Sequence, residues 1–112
     1  MALVSVDCVT VNAVDPGALA AFWAELTGGS ARHSGNGFIL VEPAKGGVRL
    51  LFQQTDRPTA EPGWIHLDCS VADRAVAEAE ICRLGGRLVE RRSERNGDWT
   101  VMADPEGNPF CI

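Results

Sequence analysis

The sequence predicts an α+β protein of two βαβββ modules, with the helices on one side of antiparallel-rich sheet. Three observations carry this. A strand-like run, an Asp-capped helical stretch and a Gly-Gly pair follow one another at residues 3–29 and again at 64–86. The two occurrences superimpose with an offset of 57–58. Each is followed by further β-branched runs separated by turn residues. A chain of 112 residues, 46% hydrophobic, can bury a real core but has no room for two independent domains. The repeat therefore reads as one domain over 1–112: module one at about 1–54, a linker at 55–63, module two at about 64–112.

Each element has a local reason. Residues 3–12 (LVSVDCVTVN) are rich in β-branched residues and read as a strand. Asp15 can cap the free N–H groups of a helix, and Pro16 fits its first position. Leu19, Phe22, Trp23 and Leu26 then form one apolar stripe, and Gly28-Gly29 ends the helix. Residues 30–36 read as a short strand or a loop, and 37–42 and 48–54 as strands. The Pro- and Gly-bearing stretch 55–63 is the linker. In the second half, 64–71 (WIHLDCSV) is a strand and Asp73 a cap. Residues 74–84 form a helix with Val76, Ala79 and Leu84 among its apolar positions, ended by Gly85-Gly86. Strands follow at about 87–92, 98–103 and 109–112, the last two joined by the Asp104–Asn108 turn.

Composition excludes several function classes. A net charge of −5 disfavours nucleic acid as the main partner, since phosphate binding needs a positive field. No apolar run approaches the roughly 20 residues of a membrane span, and the N-terminus lacks signal-peptide features, so the expectation is a cytoplasmic protein. Cysteines 8, 69, 82 and 111 contain no CxxC pair, which excludes a zinc ribbon or a thioredoxin-like motif and leaves reduced thiols as the default. Nucleotide-binding and serine-hydrolase motifs are absent.

Three stretches, VDPGALAAFWAELTGG (14–29), WIHLDCSVAD (64–73) and ADPEGNPFCI (103–112), resemble the vicinal oxygen chelate superfamily, the glyoxalase/bleomycin resistance protein/dioxygenase group. The Ala-Phe-Trp helix and the Phe-Cys ending are similar to its small actinobacterial glyoxalase-like branch. The resemblance spans nearly the whole chain. It implies two modules forming curved sheets around a cavity, helices outside, and a homodimer. Many members hold a divalent metal with four side chains from the first and last strand of each module, and others bind a drug without metal.

The ligand positions implied by the resemblance are largely unfilled. The usual His, seven residues before the capping Asp, is His66 in module two but Cys8 in module one. The usual acidic residue, three after the Asn of the final turn, is Cys111. Its counterpart by the Gly46-Gly47 turn is Leu50, or Phe52, Gln53 or Gln54 on a small shift, and no Asp, Glu or His lies between Pro43 and Thr55. Hard cations want carboxylates, so the usual site reads as broken. An atypical Cys8–His66–Cys111 set would suit a thiophilic metal, Zn or Fe, with one open position. The bland counterpart is that these cysteines are small apolar liners.

Strand alternation adds a second line of reasoning. Ile65, Leu67, Cys69 and Val71 share the face expected under the helices, and His66, Asp68 and Ser70 the opposite one. In the first strand Val9 and Val11 go to the core, while Cys8, Thr10 and Asn12 go to the cavity side. Ligand-binding candidates are therefore Cys8, Thr10, Asn12, Phe52, His66, Asp68 and Cys111. His66, oriented by Asp68, is the candidate general base. Cys8 or Cys111 serves as a nucleophile only with a lowered pKa. His33 reads as a loop residue, Trp64 as a junction residue, Cys82 as filler, and Trp99 as either core or a ligand-stacking wall. The expected function is small-molecule binding without the usual divalent metal. The alternative is a glyoxalase-type lyase, isomerase or dioxygenase using His66 or the Cys/His site. An interaction module with a filled interior is the blander third option.

Overall fold

The computed structural model describes residues 6–56, 66–95 and 97–112. Two compact units, meeting at Pro58/Thr59 in the sequence, each carry one module. The first runs β1 (Cys8–Ala13), α1 (Pro16–Thr27), β2 (Ser30–His33), β3 (Phe38–Glu42) and β4 (Arg49–Gln54). The second runs β5 (Leu67–Asp68), α2 (Arg74–Arg83), β6 (Arg87–Glu94), β7 (Gly97–Ala103) and β8 (Pro109–Cys111). The sheet orders are β1-β4-β3-β2 and β5-β8-β7-β6. In each, the first strand pairs in parallel with the last, and the other pairings are antiparallel. The α+β reading with two βαβββ modules is thus the observed architecture. Residues 30–33 of the stretch left open between strand and loop are a strand. Residues 1–5, most of the linker, Trp64 and Ile65 lie outside the described residues.

The helices begin alike. The Asp15 carboxylate accepts from the Ala18 N–H at 3.0 Å, and the Asp73 carboxylate from the Val76 N–H at 3.0 Å. Both Gly-Gly pairs divide their labour in one way. Gly28 (φ 63°) and Gly85 (φ 107°) take the left-handed turn that ends the helix. Gly29 and Gly86 then let the chain pass tightly under the sheet. A Cβ on Gly29 would stand 2.0 Å from the Glu42 carbonyl oxygen, and one on Gly86 2.9 Å from that of Ala103. Registers with β4 and β8 make Glu42 and Ala103 equivalent positions.

The packing beneath the two helices differs. α1 buries Leu19, Ala20, Phe22 and Trp23, with the two rings edge-to-face at 5.5 Å, while β3 and β4 contribute Ile39, Val41, Leu50 and Phe52 to the core. α2 buries only Glu78 and Ile81, and Val76 is 65% exposed. The apolar positions Val76, Ala79 and Leu84 are therefore not the ones this helix buries. The Glu78 carboxylate turns inward because it has partners there. Arg91 Nε donates to it at 3.0 Å, and the fully buried Thr100 hydroxyl donates at 3.2 Å. A hydrophobic stripe read from sequence discounts a glutamate, and here that glutamate is paired and buried.

A β-bulge lies between Leu88 and Glu90 of β6. Leu88 pairs with Met102, but Glu90 pairs with Val101 and Arg91 with Thr100. The extra residue sends Arg91 to the helix side, toward Glu78, and Arg92 to the opposite face. Before β8, Asp104 is buried, and its Oδ1 accepts from the backbone N–H groups of Glu106 (3.0 Å) and Asn108 (2.9 Å). This turn sets the approach of β8 to β5.

Candidate functional site

The open face of the second sheet follows from register. Asp68 pairs with Cys111, Cys111 with Val101, and Val101 with Glu90. Trp99 stands two residues before Val101 on the same face, opposite Arg92. Leu67, Phe110, Met102 and Thr100 occupy the other face, under α2. The alternation expected for this strand thus holds for Leu67 and Asp68. The open face forms a concavity of about 610 Å³, lined by His66, Asp68, Cys69, Arg92, Trp99, Val101, Pro109, Cys111 and Ile112.

Its polar end is a small cluster. His66 Nε2 lies 3.3 Å from Asp68 Oδ1. One ligand atom each from His66, Asp68 and Cys111 lies within 4.8 Å of the others. The Cys111 thiol is pushed above its ordinary value, first by desolvation and then by the Asp68 charge, with Arg92 opposing and a hydrogen bond to Asp68 adding. Cys69 is pushed up by the same desolvation and by Asp68, with Cys111 contributing. Thiols raised in this way hold less thiolate, the opposite of the lowering that a nucleophilic role for Cys111 requires. The Arg92 guanidinium pairs with Glu90, Nε to Oε2 at 3.1 Å, on the same sheet face.

The candidates divide between the modules. His66, Asp68 and Cys111 are brought together on β5 and β8. Cys8, Thr10 and Asn12 share one face of β1, where their partners are Arg49, Leu51 and Gln53. Phe52 pairs with Val11, so it points to the opposite face, and it is fully buried. It is a core residue on β4 and does not join the Cys8–Thr10–Asn12 row. Register also corrects the counterpart of Cys111. Thr10 and Asp68 are equivalent by their capping aspartates, and Thr10 pairs with Leu51. Leu51, not Leu50, therefore occupies the module-one position of Cys111. Cys69, expected under the helix, lines the concavity because β5 stops at Asp68 and the alternation stops with it. Arg92 was hidden from sequence reasoning by the bulge. The parity of Trp99 with Val101 along β7 is the signal that places Trp99 on the open face.

The donors are one imidazole nitrogen, one carboxylate oxygen and one sulfur. That chemistry does not fit Mg²⁺ or Mn²⁺, which want oxygen shells, and it fits a thiophilic ion such as Zn²⁺. None of the helices among the described residues is long and apolar enough to cross a membrane.

Comparison with known proteins agrees with the fold. A family model described as a glyoxalase-like domain matches residues 8–112. No curated protein matches. Among solved structures, a glyoxalase/bleomycin resistance protein/dioxygenase family enzyme from Burkholderia phytofirmans is similar at TM-score 0.76 and 17% identity, covering 97% of each chain. The bleomycin-binding protein of Streptomyces verticillus, in complex with copper(II)-bleomycin, is similar at 0.67 and 20% identity, covering 99% of this chain and 96% of that one. A mutant of a Listeria monocytogenes fosfomycin resistance protein, with Mn(II) and a dihydroxypropylphosphonic acid, is similar at 0.77 and 16% identity, covering 98% of this chain and 89% of that one.

Proposed function

Because the chain belongs to the glyoxalase-like domain family, we propose that it binds a small organic molecule on the open face of the second sheet. The observation that carries this reading is the division of that face. Trp99, Val101 and Pro109 form an apolar wall, and His66, Asp68, Cys111 and Arg92 offer polar groups beside it. Pockets of this kind hold a ligand by apolar contact and orient it with a few polar atoms. A ligand with a flat apolar part and one polar or anionic end suits this face: Trp99 gives a stacking surface, and Arg92 and His66 give donors. Similar proteins crystallised with copper(II)-bleomycin and with a phosphonic acid support small-molecule binding in general. The family's usual hard-cation chelate forms no part of this reading, since the donor set does not fit it.

A thermal-shift screen of flat, polar-ended compounds tests the proposal. A true ligand raises the melting temperature of the native chain, and Trp99→Ala weakens its binding about tenfold or more. A binder whose affinity is untouched by Trp99→Ala and Arg92→Ala would place the ligand elsewhere and sink the reading.

The 3.3 Å approach of His66 to Asp68 favours one second reading, an enzyme of glyoxalase type. There the carboxylate orients the ring, and His66 takes a proton from carbon or oxygen of the bound molecule. With a substrate found by the screen, His66→Ala would lower kcat by about 10²-fold or more, while a pure binder shows no turnover in either form.

A further inference from the structure

We propose that the concavity of the second module takes a ligand with two opposite ends, a flat aromatic body carrying a carboxylate for Arg92 and a protonated amine for Asp68. This deepens the small-molecule reading given under Proposed function, rests on it, and adds the second, cationic end. The support is the placement of charge on the open face. Neighbours across the sheet run Asp68, Cys111, Val101 and Glu90 in one row, and Trp99 stands opposite Arg92 in the next. The acidic end lies on β5 and the basic end on β6, with β8 and β7 between them. Three strand spacings and one two-residue step put the Asp68 and Arg92 backbones roughly 16 Å apart. Both side chains line the concavity, and with reaches of roughly 3 and 6 Å they leave about the length of a benzene ring substituted at both ends. Both charges are felt in the middle of the row. After desolvation, Asp68 raises the Cys111 thiol and Arg92 opposes it.

Each end has room for a partner. Arg92 gives one edge of its guanidinium to Glu90, Nε and Nη2 both meeting Oε2, at 3.1 and 3.0 Å. That contact fixes the plane of the group. The terminal edge, Nη1 with the second Nη2 hydrogen, has no partner among the described residues, and such an edge can fork a carboxylate. An ionised carboxylate only accepts, so Asp68, 80% exposed, suits a donor cation such as an ammonium. Among the described residues nothing stacks on Trp99, which leaves its ring for the aromatic body.

Charge balance sets the class. With imidazole neutral, the open face carries Asp68 and Glu90 against Arg92, an excess of one acid. A purely anionic ligand adds to that excess and leaves Asp68 without a counter-charge. A purely cationic one leaves the free edge of Arg92 unused. A dipolar ligand meets both groups and leaves the balance unchanged. Register confines the arrangement to one module. The equivalent row of the first sheet is Thr10, Leu51, Leu40 and Arg32, which has no acidic end.

The test titrates the full native chain with three probes, para-aminomethylbenzoate, benzoate and benzylamine, following the Trp99 indole N–H resonance by NMR. It is run at about pH 8, where imidazoles are neutral and alkylammonium groups charged. The dipolar probe is expected to bind more tightly than either single-ended one. Arg92→Gln weakens the dipolar probe about threefold to tenfold and leaves benzylamine unchanged. Asp68→Asn weakens it about twofold to fivefold and leaves benzoate unchanged. Salt at about 1 M brings the three affinities together. The comparison of probes on the native chain needs no variant to fold. Benzoate or benzylamine binding as tightly as the dipolar probe overturns this proposal, and so does an Asp68→Asn chain that loses benzoate as much as the dipolar probe. Those results leave the small-molecule reading in place, because Trp99 still reports a ligand. Silence of Trp99 toward all three probes and every compound of the thermal-shift screen overturns the reading and this proposal together.

Discussion

The two modules share their helix caps, Gly-Gly turns and strand order and differ in the side chains those devices display. Offset by 58, Leu19, Ala20, Phe22 and Trp23 of α1 correspond to Ala77, Glu78, Glu80 and Ile81 of α2. The first helix sits on its sheet through an apolar seam with two aromatic rings. The second sits through one isoleucine and a carboxylate clasped by Arg91 and Thr100. On the sheets the contrast runs the other way. Cys8, Thr10 and Leu51 in module one stand where His66, Asp68 and Cys111 gather in module two. Topology survives a change in what holds it, because caps, glycine turns and register are backbone properties. Chemistry sits in the side chains, and those are free to diverge.

The largest test of this contrast is Trp23→Ala, which should cost about 3–5 kcal/mol by urea unfolding, because it empties the centre of the first core. Its equivalent, Ile81→Ala, should cost less, about 2–3 kcal/mol, with less apolar volume to lose. Equal losses would show that α2 leans on Ile81 as heavily as α1 does on its tryptophan. Next comes the clasp. Glu78→Ala should cost about 1–3 kcal/mol, since it strips the buried Thr100 hydroxyl of its acceptor. The double variant Glu78→Ala/Thr100→Val should lose less than the sum of its parts, and strict additivity would mean that the two groups do not communicate. The shared devices should behave alike: Asp15→Ala and Asp73→Ala are each expected to cost about 1 kcal/mol, and a large difference between them would break the equivalence of the modules.

The smallest effect belongs to Glu80, the exposed counterpart of Phe22. A hydrogen bond from Arg83, Nε to Oε2 at 2.9 Å, holds its carboxyl below the ordinary range. A depressed carboxyl adds stability above its unfolded pKa, and that stability is lost as pH falls through the folded value. Glu80→Gln should therefore lower the melting temperature slightly at neutral pH and not at all in acid. A difference that grows in acid would have the wrong sign. Solvent screening keeps the neutral-pH effect close to the limit of detection.

Much of the fold was legible because the chain states its turns twice. Asp15-Pro16, Asp73 and both Gly-Gly pairs are local signals, and they mark helix ends wherever the core goes. His66 and Cys111 were also legible, through their spacing from Asp73 and Asn108. What stayed hidden depended on pairing. Cys69 was assigned to the wrong face because the end of β5 cannot be read from composition. Phe52 was grouped with Cys8, Thr10 and Asn12 because parity between strands needs the register. The buried face of α2 was not legible because Glu78 looks like a solvent residue until Arg91 and Thr100 are seen beside it. Arg92 was lost in the charged run 90–95, which follows a bulge that resets the alternation of β6.

That extra residue, in the bulge of β6, makes insertion and deletion a sharper instrument here than substitution. Removing Val89 would set Leu88 and Glu90 side by side opposite Met102 and Val101 in ordinary alternation, with Arg91 still facing the carboxylate it clasps and Arg92 still facing the concavity. Adding one residue between Glu90 and Arg91, with the hairpin register kept, would instead exchange the two arginines, setting Arg91 opposite Trp99 and turning Arg92 under the helix. One codon's worth of chain would thus re-address positive charge from one face of the sheet to the other without altering the identity of any native side chain.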